Sequence, residues 1–368
     1  MAVDTSLAAP FSPAIVGLLT RSMTHVCSAW VELPSGETCP LDVESGTLEW
    51  DETRAPRVTA SLSCRVPTDA ALLGRVDPRT GARVKIVAGY RRPDGAEETA
   101  LVANLGLRSR RVARPDDVLR VEAASDEALI LDGAATRSGS ITNATTTGAI
   151  TAVLNQLLTV TPTVSGSTGP AVSAVLFEDR WSVVQDLADS IGAQVYDNGL
   201  RQWVIAPAPA AGSVALELKV GAGGTIVESD AGLSRDDGWG NFVWAHYEWV
   251  DGGGVRRTVD GLRRVTSGPF AAVAGNYKVV KVSRDVGTTQ AAADAAAAAL
   301  VARMVTRGRS FEVNAISAYW LRPGHTLEVT LPLGDTETHL VTAVSFDLSA
   351  GTMRVTTRLP DNTVTIGA

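Results

Sequence analysis

The stretch Arg57-Val-Thr-Ala-Ser-Leu-Ser-Cys-Arg-Val66 decides the fold class. Along an extended chain Val58, Ala60, Leu62, Cys64 and Val66 point one way. Arg57, Thr59, Ser61, Ser63 and Arg65 point the other. Alternation at period two is what a strand with one face in the core and one in water requires; a helix would scatter the apolar groups around its circumference. Cys64 then reads as a core thiol. Working outward, His25 to Leu33 repeats the pattern with Cys27, Ala29, Val31 and Leu33 on one face. Val84-Lys-Ile-Val87, Leu101 to Leu107 and Val118 to Ala123 continue it, separated by Pro34-Ser-Gly36, Asp77-Pro-Arg-Thr-Gly81 and Arg92-Pro-Asp-Gly95. Short strands at this spacing predict an antiparallel barrel or sandwich over residues 22–136, preceded by an N-terminal arm, 1–21.

The period changes near residue 137. Arg137 to Thr147 is rich in Ser, Thr and Gly and reads as a linker. Ile150, Val153, Leu154, Leu157 and Leu158 then recur at helical spacing. A second helix opens at Asp179, a candidate N-cap, buries Trp181, Val184, Leu187, Ala188 and Ile191, and ends at Gly192. Gln194-Val-Tyr196 and Gln202-Trp-Val-Ile205 flank Asp197-Asn-Gly199, a hairpin signal. Residues 137–212 read as a small α/β domain.

The last third, 213–368, returns to β. Asn241–Val250, Tyr277–Ser283, Ser310–Ile316, Leu327–Leu331, His339–Leu348 and Met353–Leu359 read as strands. They are interrupted by an Ala-rich helix at 289–306 with Thr288 as its N-cap. The two β regions resemble each other. Gly81-Ala-Arg-Val84-Lys-Ile86 matches Gly324-His-Thr-Leu327-Glu-Val329, Glu98-Thr-Ala-Leu101 matches Glu337-Thr-His-Leu340, and Leu119-Arg-Val121 matches Met353-Arg-Val355. The offsets of 243, 239 and 234 residues drift as a duplication with changed loop lengths would. The expected fold is mainly β with an α/β insert: two related antiparallel barrels, a small α/β domain and one inserted helix.

Composition narrows the function. The chain has 368 residues, 45% of them apolar and 20% charged, enough for sizeable cores and against disorder. A net charge of −7 argues against a dedicated nucleic-acid binder. Among the basic residues only Lys85, Lys219, Lys278 and Lys281 are lysines. Cys27, Cys39 and Cys64 are an odd set in a long chain, so three reduced thiols are expected, with a Cys27–Cys39 bridge as the alternative. The apolar patch Ala14 to Leu19 lacks a preceding basic residue, so no signal peptide is expected, and no apolar run is long enough for a membrane helix.

No motif supplies chemistry. Gly221-Ala-Gly-Gly224 lacks the dinucleotide spacing and precedes a strand-like run. His25, His246, His325 and His339 form no metal pattern, and Asp236-Asp-Gly238 lacks EF-hand spacing. Gly166-Ser-Thr-Gly169 is no nucleophile elbow. Glu97-Glu98 and Asp116-Asp117 read as solvated turn residues. Trp239, Trp244 and Trp249, with Tyr247, are expected to pack against the inserted helix or a neighbouring subunit, with a sugar-stacking surface as the alternative. Arg108, Arg110, Arg111, Arg263 and Arg264 read as surface charge, with phosphate binding as the alternative. No catalytic, cofactor or metal residue is assigned, and no enzyme is expected.

The run Arg180-Trp-Ser-Val-Val-Gln-Asp-Leu-Ala-Asp-Ser-Ile-Gly-Ala-Gln-Val-Tyr-Asp-Asn-Gly199, followed by Trp203-Val-Ile-Ala-Pro207, resembles the hub proteins of tailed-phage tails, most of all minor tail proteins of siphophages that infect actinobacteria. Gly46-Thr-Leu-Glu-Trp-Asp51, Asp237-Gly-Trp-Gly-Asn241 and Leu321-Arg-Pro-Gly-His-Thr-Leu-Glu-Val329 fit the same family in the same order, from about residue 22 to 360.

That resemblance implies a structural virion protein at the tail tip or baseplate. Such hubs form homotrimers, whose six barrels make a pseudo-hexameric ring that joins the sixfold tail tube to the threefold tip and lines the DNA channel. The implied partners are a distal tail protein or tube ring, the tape-measure end, and tail-tip or fibre proteins, with DNA only in transit during host entry and no stable membrane anchoring. An acidic lumen would let DNA slide, since like charge weakens phosphate contacts. No lysozyme-like or peptidase extension is expected after the second barrel. A carbohydrate- or receptor-binding tail-tip protein would need exposed aromatics around Trp239 to Trp249. A cell-wall hydrolase would need paired carboxylates or a metal across a cleft, and a hexameric distal-tail ring would carry one barrel rather than two.

Overall fold

The computed structural model describes residues 3–19, 23–133, 139–221, 224–235, 238–306, 309–330, 336–359 and 365–367. The linker expected from Arg137, the turn at 221–224 and the acidic loop at 236–238 fall partly outside the described residues. The N-terminal arm packs onto the first core. Ala8, Phe11, Ile15 and Leu19 are buried in the first core, Ile15 from helix α1 (Pro13–Leu18). Exposing that much apolar surface would cost more than leaving the segment disordered would save in conformational entropy.

The alternating segments build six strands: β1 (Thr24–Glu32), β2 (Thr38–Asp51), β3 (Val58–Arg65), β4 (Arg83–Arg91), β5 (Glu97–Ala113) and β6 (Val118–Ala124). Helix α2 (Ala70–Arg75), capped by the Asp69 carboxylate, lies between β3 and β4, and α3 (Glu127–Asp132) follows β6. Their order is β1-β4-β5-β6-β3-β2, and the first half of β2 returns to β1, so the barrel closes with every pair antiparallel. Closure leaves Val31, Leu48, Leu62, Val84, Ile86 and Leu105 inside with at most 2% of their surface exposed.

The middle segment holds β7 (Gly139–Asn143), α4 (Thr146–Leu154), β8 (Thr163–Val164), β9 (Val172–Phe177), α5 (Arg180–Ser190), β10 (Ala193–Asp197) and β11 (Trp203–Pro207). Part of the expected linker is therefore strand β7. The Asp179 carboxylate accepts from the amides of Trp181 and Ser182, and Gly192, at φ +65°, ends the helix. The β10–β11 loop spans five residues rather than a two-residue turn, with Gly199 and Arg201 both at positive φ.

The last third contributes β12 (Val214–Lys219), β13 (Ile226–Leu233), β14 (Phe242–Val250), β15 (Arg256–Val265), β16 (Val279–Arg284), α6 (Gln290–Val305), β17 (Arg309–Ile316), β18 (Thr326–Thr330), β19 (Thr336–Asp347), β20 (Thr352–Arg358) and β21 (Ile366–Gly367). The N-cap of α6 is Thr289, one residue beyond the expected Thr288. The order β12-β18-β19-β20-β17-β13 repeats that of the first barrel strand for strand. Irregularities recur too. β5 bulges against β6 between Leu107 and Ser109, and β19 against β20 between Val341 and Ala343. β2 bulges against β3 between Val43 and Ser45, and β13 against β17 between Ile226 and Glu228. An extra residue leaves the ladder locally unpaired and bends the strand, so two bulges at equivalent places mark equivalent curvature.

One offset of 234 residues relates Gly106 and Ala124 to their counterparts Leu340 and Arg358. The expected match of Glu98 with Glu337 is corrected by register. Ile86 pairs with Ala103 and its counterpart Val329 with Glu337, so the true partner lies five residues further along. The first hairpin simply extends further beyond its barrel. The second unit differs in one strand. β12 runs parallel to β18, whereas β1 is antiparallel to β4, and no pairing joins β12 to β13 among the described residues.

Where a short turn joins β2 to β3, the chain between β13 and β17 carries β14, β15, β16 and α6; β21, which follows β20, completes the sheet β16-β14-β15-β21, on which α6 packs. A Cβ at Gly261 of β15 would lie 2.2 Å from the Ala293 carbonyl oxygen, so helix and strand meet backbone to backbone. This is a physical use for the alanines of α6. The apolar face of that layer shares one core with α4, α5, β10 and β11, through Val184, Leu187, Trp203, Val243, Tyr247 and Val301. The boundary expected at 212/213 thus divides segments that share a core.

Candidate assembly interface

The two barrel units join edge to edge. The second half of β2 keeps its pairing with β3 on one edge and pairs antiparallel with β19 on the other: Thr47 with Asp347, Glu49 with Ser345, Asp51 with Ala343. Trp50, 2% exposed, fills the seam. Its ring meets Phe346 edge-on at 5.6 Å between centroids, and the Arg322 guanidinium lies 4.0 Å above its centroid. Burial pulls Arg322 down to about 9, and its Nη1 donates to the Tyr319 and Leu321 carbonyls. Phe11, at 5.4 Å from Tyr90 and 6.0 Å from Trp320, ties the N-terminal segment across both units.

The face of this joined sheet that points away from the cores is polar. Ser45, Thr47, Thr59, Ser61, Ser63, Ser345 and Thr356 alternate there with the acids Asp42, Glu44, Glu49, Asp51, Glu122, Glu312 and Asp347. Bases on the face are mostly neutralised: Arg65 meets Glu44 at 2.7 Å, Arg54 reaches Glu49 at 2.6 Å, and Arg354 pairs with Glu312. No large apolar side chain of β2, β3, β19 or β20 is exposed. A wet surface of hydroxyls and surplus carboxylates offers a polyanion little to hold.

A buried polar knot, not foreseen in the sequence, locks the β10–β11 loop onto the first barrel. Glu127, 1% exposed, accepts from the Arg57 amide at 2.6 Å and Ser125 Oγ at 2.5 Å, and from the Asp197 amide at 3.1 Å. Asp197 accepts from the amides of Asp126 at 3.0 Å and Gly199 at 3.1 Å. Asp126 in turn holds Arg83 at 2.8 Å and Arg201 at 3.1 Å, and Arg57 stacks 3.8 Å over the Tyr196 ring. Burial pushes Glu127 up to about 7 and Asp197 up to about 6, against the hydrogen bonds that favour their charged forms. Only Asp197-Asn-Gly199 signalled anything in sequence, and it signalled a turn.

The other residues singled out in the sequence scatter. Trp239 is buried under Arg235; Trp244 lies on the opposite face of β14 from buried Tyr247, its Nε1 donating to Asp260 at 2.7 Å under Lys281; Trp249 packs on the second core. They form no shared platform. Arg108 pairs with Asp132, Arg110 donates to the Leu73 carbonyl, and Arg263 meets Asp294 of α6 at 3.1 Å. Glu98 accepts from Ser12, Glu97 pairs with Arg91 and Asp117 with Arg114. The three cysteines are free, and burial lifts Cys27 to about 11 and Cys64 to about 12. His339 is buried against Thr357, while His246 contacts Asp260 at 2.7 Å. Among the described residues no three His, Cys, Asp or Glu side chains gather as metal ligands.

No protein-family model matches the chain, and no curated protein matches it in sequence. Solved structures match its fold over nearly its whole length. A tail protein from Neisseria meningitidis superposes with a TM-score of 0.64 at 15% identity, covering 91% of this chain and 97% of that one. The 43 kDa tail protein of prophage MuSo2 from Shewanella oneidensis gives 0.62 at 12% identity, covering 90% and 98%. Prophage tail protein gp18 from Listeria monocytogenes gives 0.52 at 12%, covering 91% and 95%. The chain is therefore similar in fold, over about nine-tenths of its length, to tail proteins, two of them from prophages.

Proposed function

We propose that this chain is a structural protein of a phage-like tail tip: a hub, assembled as a trimer, whose six barrel units ring a DNA channel and join a sixfold tube to a threefold tip. The observation that carries the reading is the duplicated unit, with strand order and bulges repeated and the two copies joined side by side through β2 and β19. Two like units per chain in three chains make six around an axis, and a head-to-tail contact whose rotation closes gives a ring. The hydroxyl- and acid-rich face of the joined sheet suits a lumen that DNA crosses without sticking. Its neighbours in the assembly would be a tube or distal-tail ring on one side, tip or fibre proteins on the other, and the tape-measure end, in the virion tail. The role is one of geometry and not of catalysis. The scatter of Trp239, Trp244 and Trp249 weighs against a carbohydrate platform.

The test is the mass of the purified protein by light scattering, with negative-stain class averages of the same sample. A trimeric ring with pseudo-sixfold density around a channel supports the hub. A true sixfold ring of six chains overturns it in favour of a distal-tail adaptor.

A further inference from the structure

The seam inside the chain has no counterpart outside it, although both of its halves are present. In the second unit β18 ends where Thr326 pairs with Leu340, and β2 takes the same edge of β19 from Ala343 onward. In the first unit β4 ends where Arg83 pairs with Gly106, the counterpart of Leu340, and beyond Ser109 that edge of β5 pairs with no described strand. β13, the counterpart of β2, pairs with β17 on one edge and with no described strand on the other.

We infer that β13 of one copy pairs antiparallel with β5 of the next. Carrying the internal register across sets Asp230 opposite Ala113, Gly232 opposite Arg111 and Leu233 opposite Arg110. This partner, a second copy of the chain, rests on the ring proposed above and specifies what closes it.

Two further observations support the pairing. Leu233 holds the position that Trp50 holds in the internal seam, yet Leu233 is 85% exposed and Trp50 2%. A bare edge strand with a large apolar side chain is a liability that proteins ordinarily cover. Charge is also set for it. Arg111 and Arg120 stand directly opposite each other, and so do Asp230 and Glu312. Like charges in that arrangement oppose each other. Arg111, Arg120 and Asp230 have no ionic partner among the described residues. Docking brings Asp230 diagonal to Arg111, within reach of its long side chain.

The experiment joins Asp230→Cys and Ala113→Cys in the full chain, oxidises it, and reads covalent species on a denaturing gel beside the mass in solution. Cross-linked dimers and trimers are expected from the double variant, but not from either single variant or from Asp230→Cys with Ser109→Cys, which is four residues out of register. Asp230→Arg should raise the concentration at which trimers dissociate about tenfold, with a melting temperature that does not fall, and Arg111→Asp in the same chain should restore it. A trimer by mass that the double variant fails to cross-link overturns the strand pairing and leaves the hub reading standing. Absence of both cross-link and trimer at high concentration overturns both.

Discussion

Trp50 is the place where the joining of the two units can be weighed. Its replacement by Ala deletes a side chain that is 2% exposed between Phe346, Val58 and the Arg322 guanidinium. Large-to-small changes of this kind in a core cost about 3–5 kcal/mol, the transfer term plus the cavity left behind. The indole N–H contributes little, because its contact with the Asn198 carbonyl is long, 3.5 Å. The ring under Arg322 contributes more. That guanidinium is buried, and a desolvated cation–π contact adds about 1–2 kcal/mol. Trp50→Ala should therefore fall at the upper end of the range, while Trp50→Phe, which keeps an aromatic face, should cost under about 2 kcal/mol. Guanidinium unfolding followed by far-ultraviolet circular dichroism measures both. A double-mutant cycle with Arg322→Met should return a coupling of about 1 kcal/mol. The reasoning fails if Trp50→Ala costs less than about 1 kcal/mol, or if Phe is no better than Ala.

Two other outcomes follow from the geometry. Gly261→Ala would set a methyl group 2.2 Å from the Ala293 carbonyl oxygen, so α6 must lift from β15. A loss of about 1–3 kcal/mol in thermal unfolding is expected, and an unchanged midpoint would show that the helix does not sit on the strand. Stability should also fall as pH rises from about 4 to 7. Glu127, raised to about 7, and Asp197 and Asp186, raised to about 6 by burial, keep their protons in the fold after the unfolded chain has lost them. Each contributes up to about 1.4 kcal/mol per pH unit between its unfolded and folded values. Below pH 4 the sign reverses as carboxylates held low, such as Asp132 beside Arg108, are protonated. Melting temperatures across this range test the sign, and Glu127→Gln should flatten the slope.

Much of this was legible in residues. The alternation in Arg57–Val66 became β3 with its apolar face buried, Asp179 caps its helix, and Gly192 ends it. These are local properties: the period assigns faces, and a carboxylate or a positive φ acts within a few bonds. The duplication was visible as well, because equivalent strands need equivalent alternation. The five-residue slide of β5 against β19 was not, since the hairpin starts matched by composition while the bulges that set register left no mark.

By itself, then, the sequence determined the class of each segment and the side of it that is buried. The tertiary structure decided who pairs with whom: β2 crossing to β19, α6 and the middle domain sharing one core, and Glu127 meeting the Asp197 amide across the chain. The physical reason is that backbone N–H and C=O groups are the same in every strand. An open edge accepts any partner that presents the complementary face, and only the closing of the whole three-dimensional arrangement selects one.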